Sequence, residues 1–241
     1  MLEDREVERA LVVVAHPDDV DYGAGGTIAQ WTDAGIEVTY CLVTPGDAGG
    51  FDPTVDRADI PSIRMAEQRA AGEVLGVHDV RLLGYRDGQV EASYELRRDI
   101  SRVIRQVRPQ RMLVQSPEWN FTRIGASHPD HMATGDATWR AIYPDARNPF
   151  AHPELISEEG LADWKVAEVW MMSGPTPDVV IDVTATFDRK VAALRKHESQ
   201  TDHMGEAFEE IVGGWLRDNA AAHGLPQGHL AELFNVYTMP A

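Results

Sequence analysis

Cysteine is nearly absent: Cys41 is the only one in 241 residues, so no internal disulfide can form and a reducing compartment fits. Its place inside an apparent strand reads as a core thiol. Long apolar runs are missing too, and nothing approaches the ~20 residues needed to span a bilayer. The first residues, Met1-Leu2-Glu3-Asp4-Arg5-Glu6, are charged where a secretory leader would be apolar, so the expectation is a cytoplasmic protein with no membrane partner. Positive charge is scarce: Lys and Arg total 22 against 39 Asp and Glu, a formal charge of −17 that gives no reason to bind nucleic acid and leaves a small molecule as the easier partner. There is no G-x-S-x-G elbow, which argues against acyl-enzyme chemistry on serine. The glycines Gly23, Gly25 and Gly26 fail the dinucleotide spacing because Ile28 stands where the last glycine belongs, and they read as close-packing glycines. With no repeat or low-complexity tract, a single α/β domain over 1–241 is expected.

What is present is organised around Leu11-Val12-Val13-Val14-Ala15-His16-Pro17-Asp18-Asp19. The apolar run is a strand covered on both faces, it stops at a histidine and two carboxylates, and a glycine-rich turn leads to a helix from Thr27 to Ala34. A second strand, Glu37 to Val43, completes a right-handed βαβ unit and places the histidine loop at the carboxyl edge of a mostly parallel, Rossmann-like sheet. Further helices are expected at Ile63 to Leu75, Tyr94 to Val107, Pro129 to Ile142, Phe187 to His197 and Glu206 to Ala221. Strands are expected at Asp79 to Leu83, Arg111 to Gln115, Val166 to Met171, Asp178 to Val183 and Leu233 to Tyr237. The glycine- and proline-rich stretch from Thr44 to Pro53 reads as a mobile loop over the site, and the proline-rich, acidic segment 144–165 as an insertion or lid.

Ser127-His128-Pro129-Asp130-His131 repeats the histidine-proline-aspartate core at the end of another strand. One such triplet is an ordinary helix start, with proline in the first turn and aspartate at the positive end of the dipole. Two at strand ends point to a divalent metal. His16, Asp19 and His131 supply the three nitrogen and oxygen ligands of a hydrolytic zinc site, although iron or cobalt would also fit. Asp18, beside them, is placed to take a proton from water, and His128, one turn before His131, to hold an oxyanion or protonate a leaving nitrogen. Trp119, Asn120 and Phe121, in the loop before the second triplet, are candidates for substrate contact, the aromatic pair as an apolar wall. Ile211 and Trp215 on the last helix read either as a homo-oligomer contact or as cover for the sheet.

Ala15-His16-Pro17-Asp18-Asp19 with Gly25-Gly26, followed by His128-Pro129-Asp130-His131, resembles the metal-dependent de-N-acetylases that include the glycosylphosphatidylinositol-precursor deacetylase and the LmbE-like and mycothiol-pathway enzymes. Arg64-Met65-Ala66-Glu67, Gly84-Tyr85-Arg86-Asp87-Gly88 and His197-Glu198-Ser199-Gln200 follow in the same order. The resemblance implies zinc-dependent removal of acetyl from a glucosamine-type N-acetyl sugar. It assigns the same roles to His16, Asp19, His131, Asp18 and His128, and it adds Arg64 and Asp87 as holders of sugar hydroxyls. An amidase for a non-sugar conjugate and a non-catalytic metal-binding protein are the alternatives. Two positions depart from the pattern: Val20 stands where relatives carry glutamate, with Asp21 next, and Ala126 where some carry a tyrosine that assists the oxyanion, a part open to Tyr22.

Overall fold

Four consecutive apolar side chains, Leu11 to Val14, can all be buried only where helices cover both faces of a sheet. In the computed structural model, which describes residues 1–240, that is their setting. Strand β1 (Arg9–Val14) lies inside a seven-stranded sheet of order β3-β2-β1-β4-β5-β7-β6. Its members are β2 (Glu37–Leu42), β3 (Asp79–Leu82), β4 (Arg111–Gln115), β5 (Glu168–Met172), β6 (Val179–Asp182) and β7 (Ala231–Thr238). The first five run parallel, whereas β7 is antiparallel to both β5 and β6. The helices are α1 (Asp19–Asp33), α2 (Ile60–Leu75), α3 (Tyr94–Val107), α4 (Pro129–Arg140), the short α5 (Pro153–Ser157), α6 (Phe187–Leu194), the short α7 (Glu198–Thr201) and α8 (Phe208–Ala222).

The period-two alternation of β1 divides its side chains between two cores. Val12 and Val14 pack with Ile28 and Trp31 of α1 and Leu75 of α2, while Leu11 and Val13 pack with Leu96 and Ile100 of α3 and Ala137 of α4. A third cluster joins Val183 and Leu194 to Phe208, Val212 and Leu216 of α8. Strand order reverses between β1 and β4, so the loops after these two strands open into one crevice at the carboxyl edge. The two histidine motifs lie on those loops.

One expectation is corrected. The glycines of 23–26 are helical, because α1 already begins at Asp19. A Cβ would stand 2.4 Å from Met172 Sδ at Gly23 and 2.6 Å from Val183 Cβ at Gly26, so the glycines let the helix lie close on its neighbours. The segment expected to be an insertion or lid, 144–165, is tied to α3 at its start. Arg105 donates to the carbonyls of Asp145, Ala146, Asn148 and Ala151, and Asp145 accepts both Arg97 Nε and Nη2.

Close approach also sets α4. A Cβ on Gly135 would lie 2.5 Å from the Gln115 carbonyl oxygen, so this glycine brings the helix bearing His131 against the end of β4. Gly135→Ala is expected to cost about 1–3 kcal/mol by overpacking, measured by urea denaturation. A change under ~0.5 kcal/mol would show that the helix shifts freely.

Candidate metal centre

The end of β1 turns sharply at Asp18, whose φ of 89° is the left-handed conformation that aspartate tolerates better than most residues. The turn sends the His16 and Asp19 side chains toward one point, and Asp19 Oδ2 accepts the His16 backbone N–H at 2.8 Å. On the other loop His128 caps α4: its Nδ1 accepts the Asp130 N–H at 3.2 Å. That bond fixes the neutral tautomer with its proton on Nε2, leaving a free donor. His131, a turn later, faces the β1 loop.

The three sequence-predicted ligands meet. His16 Nδ1 lies 3.2 Å from His131 Nε2, His131 Nε2 lies 3.0 Å from Asp19 Oδ1, and His16 Nδ1 lies 3.5 Å from Asp19 Oδ2. Ligands at ~2.0–2.2 Å from a tetrahedral zinc stand about 3.3–3.6 Å apart, so the donor set fits such an ion with little adjustment. A ligand atom of His128 also lies within 4.8 Å of those of His16 and His131.

The electrostatics agree. Burial works against a charged His16 imidazole, but Asp19, Asp130 and Asp87 outweigh it and push the pKa up to about 12. Burial opposes ionisation of Asp19 as well, yet His131 and His16 hold its carboxyl well below the usual range. Asp18 differs: burial pushes it up to about 6, with Arg64 pulling down and Asp19 pushing further up. Its Oδ2 accepts Arg64 Nη2 at 3.1 Å, while its Oδ1 accepts no hydrogen bond among the described residues.

Asp130 is the residue that sequence reasoning missed. Its Oδ2 lies 3.1 Å from His16 Nε2 and accepts the Gly88 N–H at 2.6 Å, while its Oδ1 accepts the Val90 N–H at 3.2 Å. It therefore orients the far nitrogen of His16, as carboxylates behind metal-ligating imidazoles commonly do. The signal is the repeated triplet itself, whose aspartate also fits a helix-dipole partner by local sequence. Asp130→Asn is expected to lower zinc affinity by about 10–100-fold in a competition titration; unchanged affinity would remove this role.

The remaining predicted contacts are placed differently. Asp87 shares the Asp130 position, with Oδ1 3.1 Å from His16 Nε2 and Oδ2 accepting the Ala48 N–H. Arg64 is buried; its Nη1 donates to the Gly46 carbonyl and its Nη2 to the Pro17 carbonyl and Asp18, while its Nε has no partner among the described residues. Asn120 is also buried: Nδ2 donates to the Ser173 and Gly174 carbonyls and Oδ1 accepts Thr122 Oγ1 and the Arg123 N–H. Trp119 and Phe121 stack on each other in the exposed part of the loop, 5.7 Å apart. Val20 belongs to the core, and the buried carboxylate beside it is Asp21, which meets His197 Nε2 at 2.9 Å and Gln68 Nε2 at 2.8 Å.

A cavity of about 620 Å³ opens on Asp19 and His131. Tyr22, Met172, Ile124 and Trp215 form apolar parts of its wall, and Arg123 and Asn219 polar ones. Trp215 thus lies against Tyr22 at 6.4 Å and flanks the cavity instead of covering the sheet.

A doubly wound sheet with a His-His-Asp cluster at its switch point defines a Rossmann-like α/β protein with a candidate metal site beside a cavity. Comparison with known proteins narrows this class. Residues 11–142 match the PIG-L profile, described as GlcNAc-PI de-N-acetylase, and the chain belongs to that family. It is 31% identical over 224 residues to the diacetylchitobiose deacetylase of Thermococcus kodakarensis, covering 93% of this chain and 80% of the relative. A probable N-acetyl-alpha-D-glucosaminyl L-malate deacetylase 2 of Bacillus cereus is 37% identical over 203 residues, 81% of this chain and 85% of the relative. Among solved structures, the N,N'-diacetylchitobiose deacetylase of Pyrococcus horikoshii superposes with a TM-score of 0.86 at 27% identity, covering 97% of this chain and 85% of the other.

Proposed function

We propose that this protein is a zinc-dependent hydrolase that removes the acetyl group from an N-acetylated amino sugar of the glucosamine type. The observation that carries the reading is the convergence of His16, Asp19 and His131 at tetrahedral spacing, beside an Asp18 carboxylate with one oxygen free. The relatives named as deacetylases of N-acetylglucosamine compounds support the substrate class. Its cation, held by those three residues, would polarise the acetyl carbonyl and acidify the attacking water.

The protein's own groups account for the proton movements. Asp18 takes a proton from water as its oxygen adds to the acetyl carbon, and His128 Nε2–H donates to the resulting oxyanion. Arg64 holds Asp18 in place, and Asp130 and Asp87 hold His16. The C–N bond then breaks, Asp18 returns its proton to the departing nitrogen, and acetate and the free amine remain. Among the described residues no helix is long and apolar enough to cross a membrane.

Acetate release from N-acetylglucosamine and N,N'-diacetylchitobiose, before and after exhaustive chelation and zinc add-back, tests the reading. Turnover is expected to vanish with the metal and return with zinc. Full turnover after chelation, or none on any N-acetylated amino sugar by zinc-loaded protein, would refute it.

A further inference from the structure

Helix α1 carries Asp19 in its first turn, and one step further along it meets a buried ion pair from distant parts of the chain. Lys190 on α6 and Glu232 on β7 are 2.7 Å apart and almost wholly inaccessible. Lys190 Nζ also donates to the carbonyls of Asp21 (2.8 Å) and Tyr22 (2.7 Å), which uses all three of its protons. Glu232 Oε1 accepts the Gly26 N–H at 2.9 Å, and Oε2 accepts the Thr27 N–H at 2.8 Å and Thr27 Oγ1 at 2.6 Å. In an uninterrupted α-helix the Gly26 N–H and the Tyr22 carbonyl are each other's partners. Here each also has a charged side-chain partner, an arrangement of the kind that bends helices. Gly25 makes room, since a Cβ there would meet Lys190 Cγ at 3.2 Å.

We propose that Lys190 and Glu232 are positioning residues that fix the first turn of α1, and through it aim the Asp19 carboxylate at His16 and His131. The inference rests on the reading of Asp19 as a metal ligand. Buried ion pairs contribute little net stability compared with apolar residues of the same volume, so stability alone does not account for a pair so fully satisfied. Its place, between the turn bearing Asp19 and the rest of the helix, does. Neither residue touches the reacting atoms.

The test compares Lys190→Met, Glu232→Gln, the double variant Lys190→Met/Glu232→Leu and the milder Gly25→Ala, which presses on Lys190 without removing a charge. Each folded variant is titrated with zinc against a chromogenic chelator, and kcat and KM are measured separately on N-acetylglucosamine. Zinc affinity is expected to fall about tenfold or more in the pair variants and by less in Gly25→Ala. In the pair variants kcat is expected to fall more than KM rises. If the pair variants fail to fold, Gly25→Ala carries the test. Wild-type zinc affinity in every folded variant overturns the inference. Asp19→Asn serves as the control: if it too binds zinc normally, the ligand assignment falls along with the inference, whereas if it alone is weakened, only the positioning role is lost.

Discussion

Asp18→Asn lowers kcat by about 10²–10⁴-fold while zinc content stays at the wild-type level. Asparagine is the appropriate replacement because residue 18 has a φ of 89°, which asparagine accepts and alanine accepts poorly. The amide keeps the shape and the hydrogen bond from Arg64 but cannot take a proton from water. Burial already pushes the native carboxyl up to about 6, which brings its basicity closer to what proton transfer near neutrality requires. The check is kcat for acetate release beside metal content by mass spectrometry. A variant within threefold of wild type would mean that another group is the base, and a variant without zinc would mean that Asp18 also holds the metal.

Arg111→Met destabilises the fold by about 3–5 kcal/mol. Arg111 is fully buried at the amino end of β4, between the rings of Trp31 and Trp170 at 5.0 Å from each. Its Nε donates to Glu168 Oε1 at 2.8 Å, its Nη1 to Asp4 at 2.6 Å and its Nη2 to the Leu2 carbonyl at 3.0 Å. Removing the guanidinium leaves Glu168, itself wholly buried, without its cation. Asp4 is half exposed and contributes little. Urea denaturation followed by tryptophan fluorescence reads the loss, and Arg111→Met/Glu168→Gln should recover part of it. A single variant within ~1 kcal/mol of wild type would show that water replaces the guanidinium.

The meeting of His16, Asp19 and His131 beyond the ends of β1 and β4 was legible in the sequence because it follows from local order. A buried apolar run ended at His16, a second ended at Gln115 before the loop that leads to His128, and parallel topology brings such ends together. What was not legible depends on partners remote in the chain. Gly23, Gly25 and Gly26 look like a turn by propensity, but contacts with Met172, Val183 and Lys190 make them the packing face of a helix. Asn120 looks available in a polar loop, yet its amide is consumed by the carbonyls of Ser173 and Gly174. Asp87, expected against a sugar, is turned onto His16. Each of these assignments required knowing which distant backbone or side chain stands nearby. The antiparallel turn of β7 between β5 and β6 was likewise outside what the short run Leu233 to Tyr237 reveals.

That interior strand has a consequence for biosynthesis. During translation β6 emerges about fifty residues before β7, and its ladder hydrogen bonds wait for that neighbour. Until then the nascent chain carries an unpaired edge, and α1 lacks the acceptor that Glu232 provides. Ordering of α1 beside the crevice is therefore tied to the arrival of β7, and a change that disturbs 231–238 is expected to reach that helix through Gly26 and Thr27.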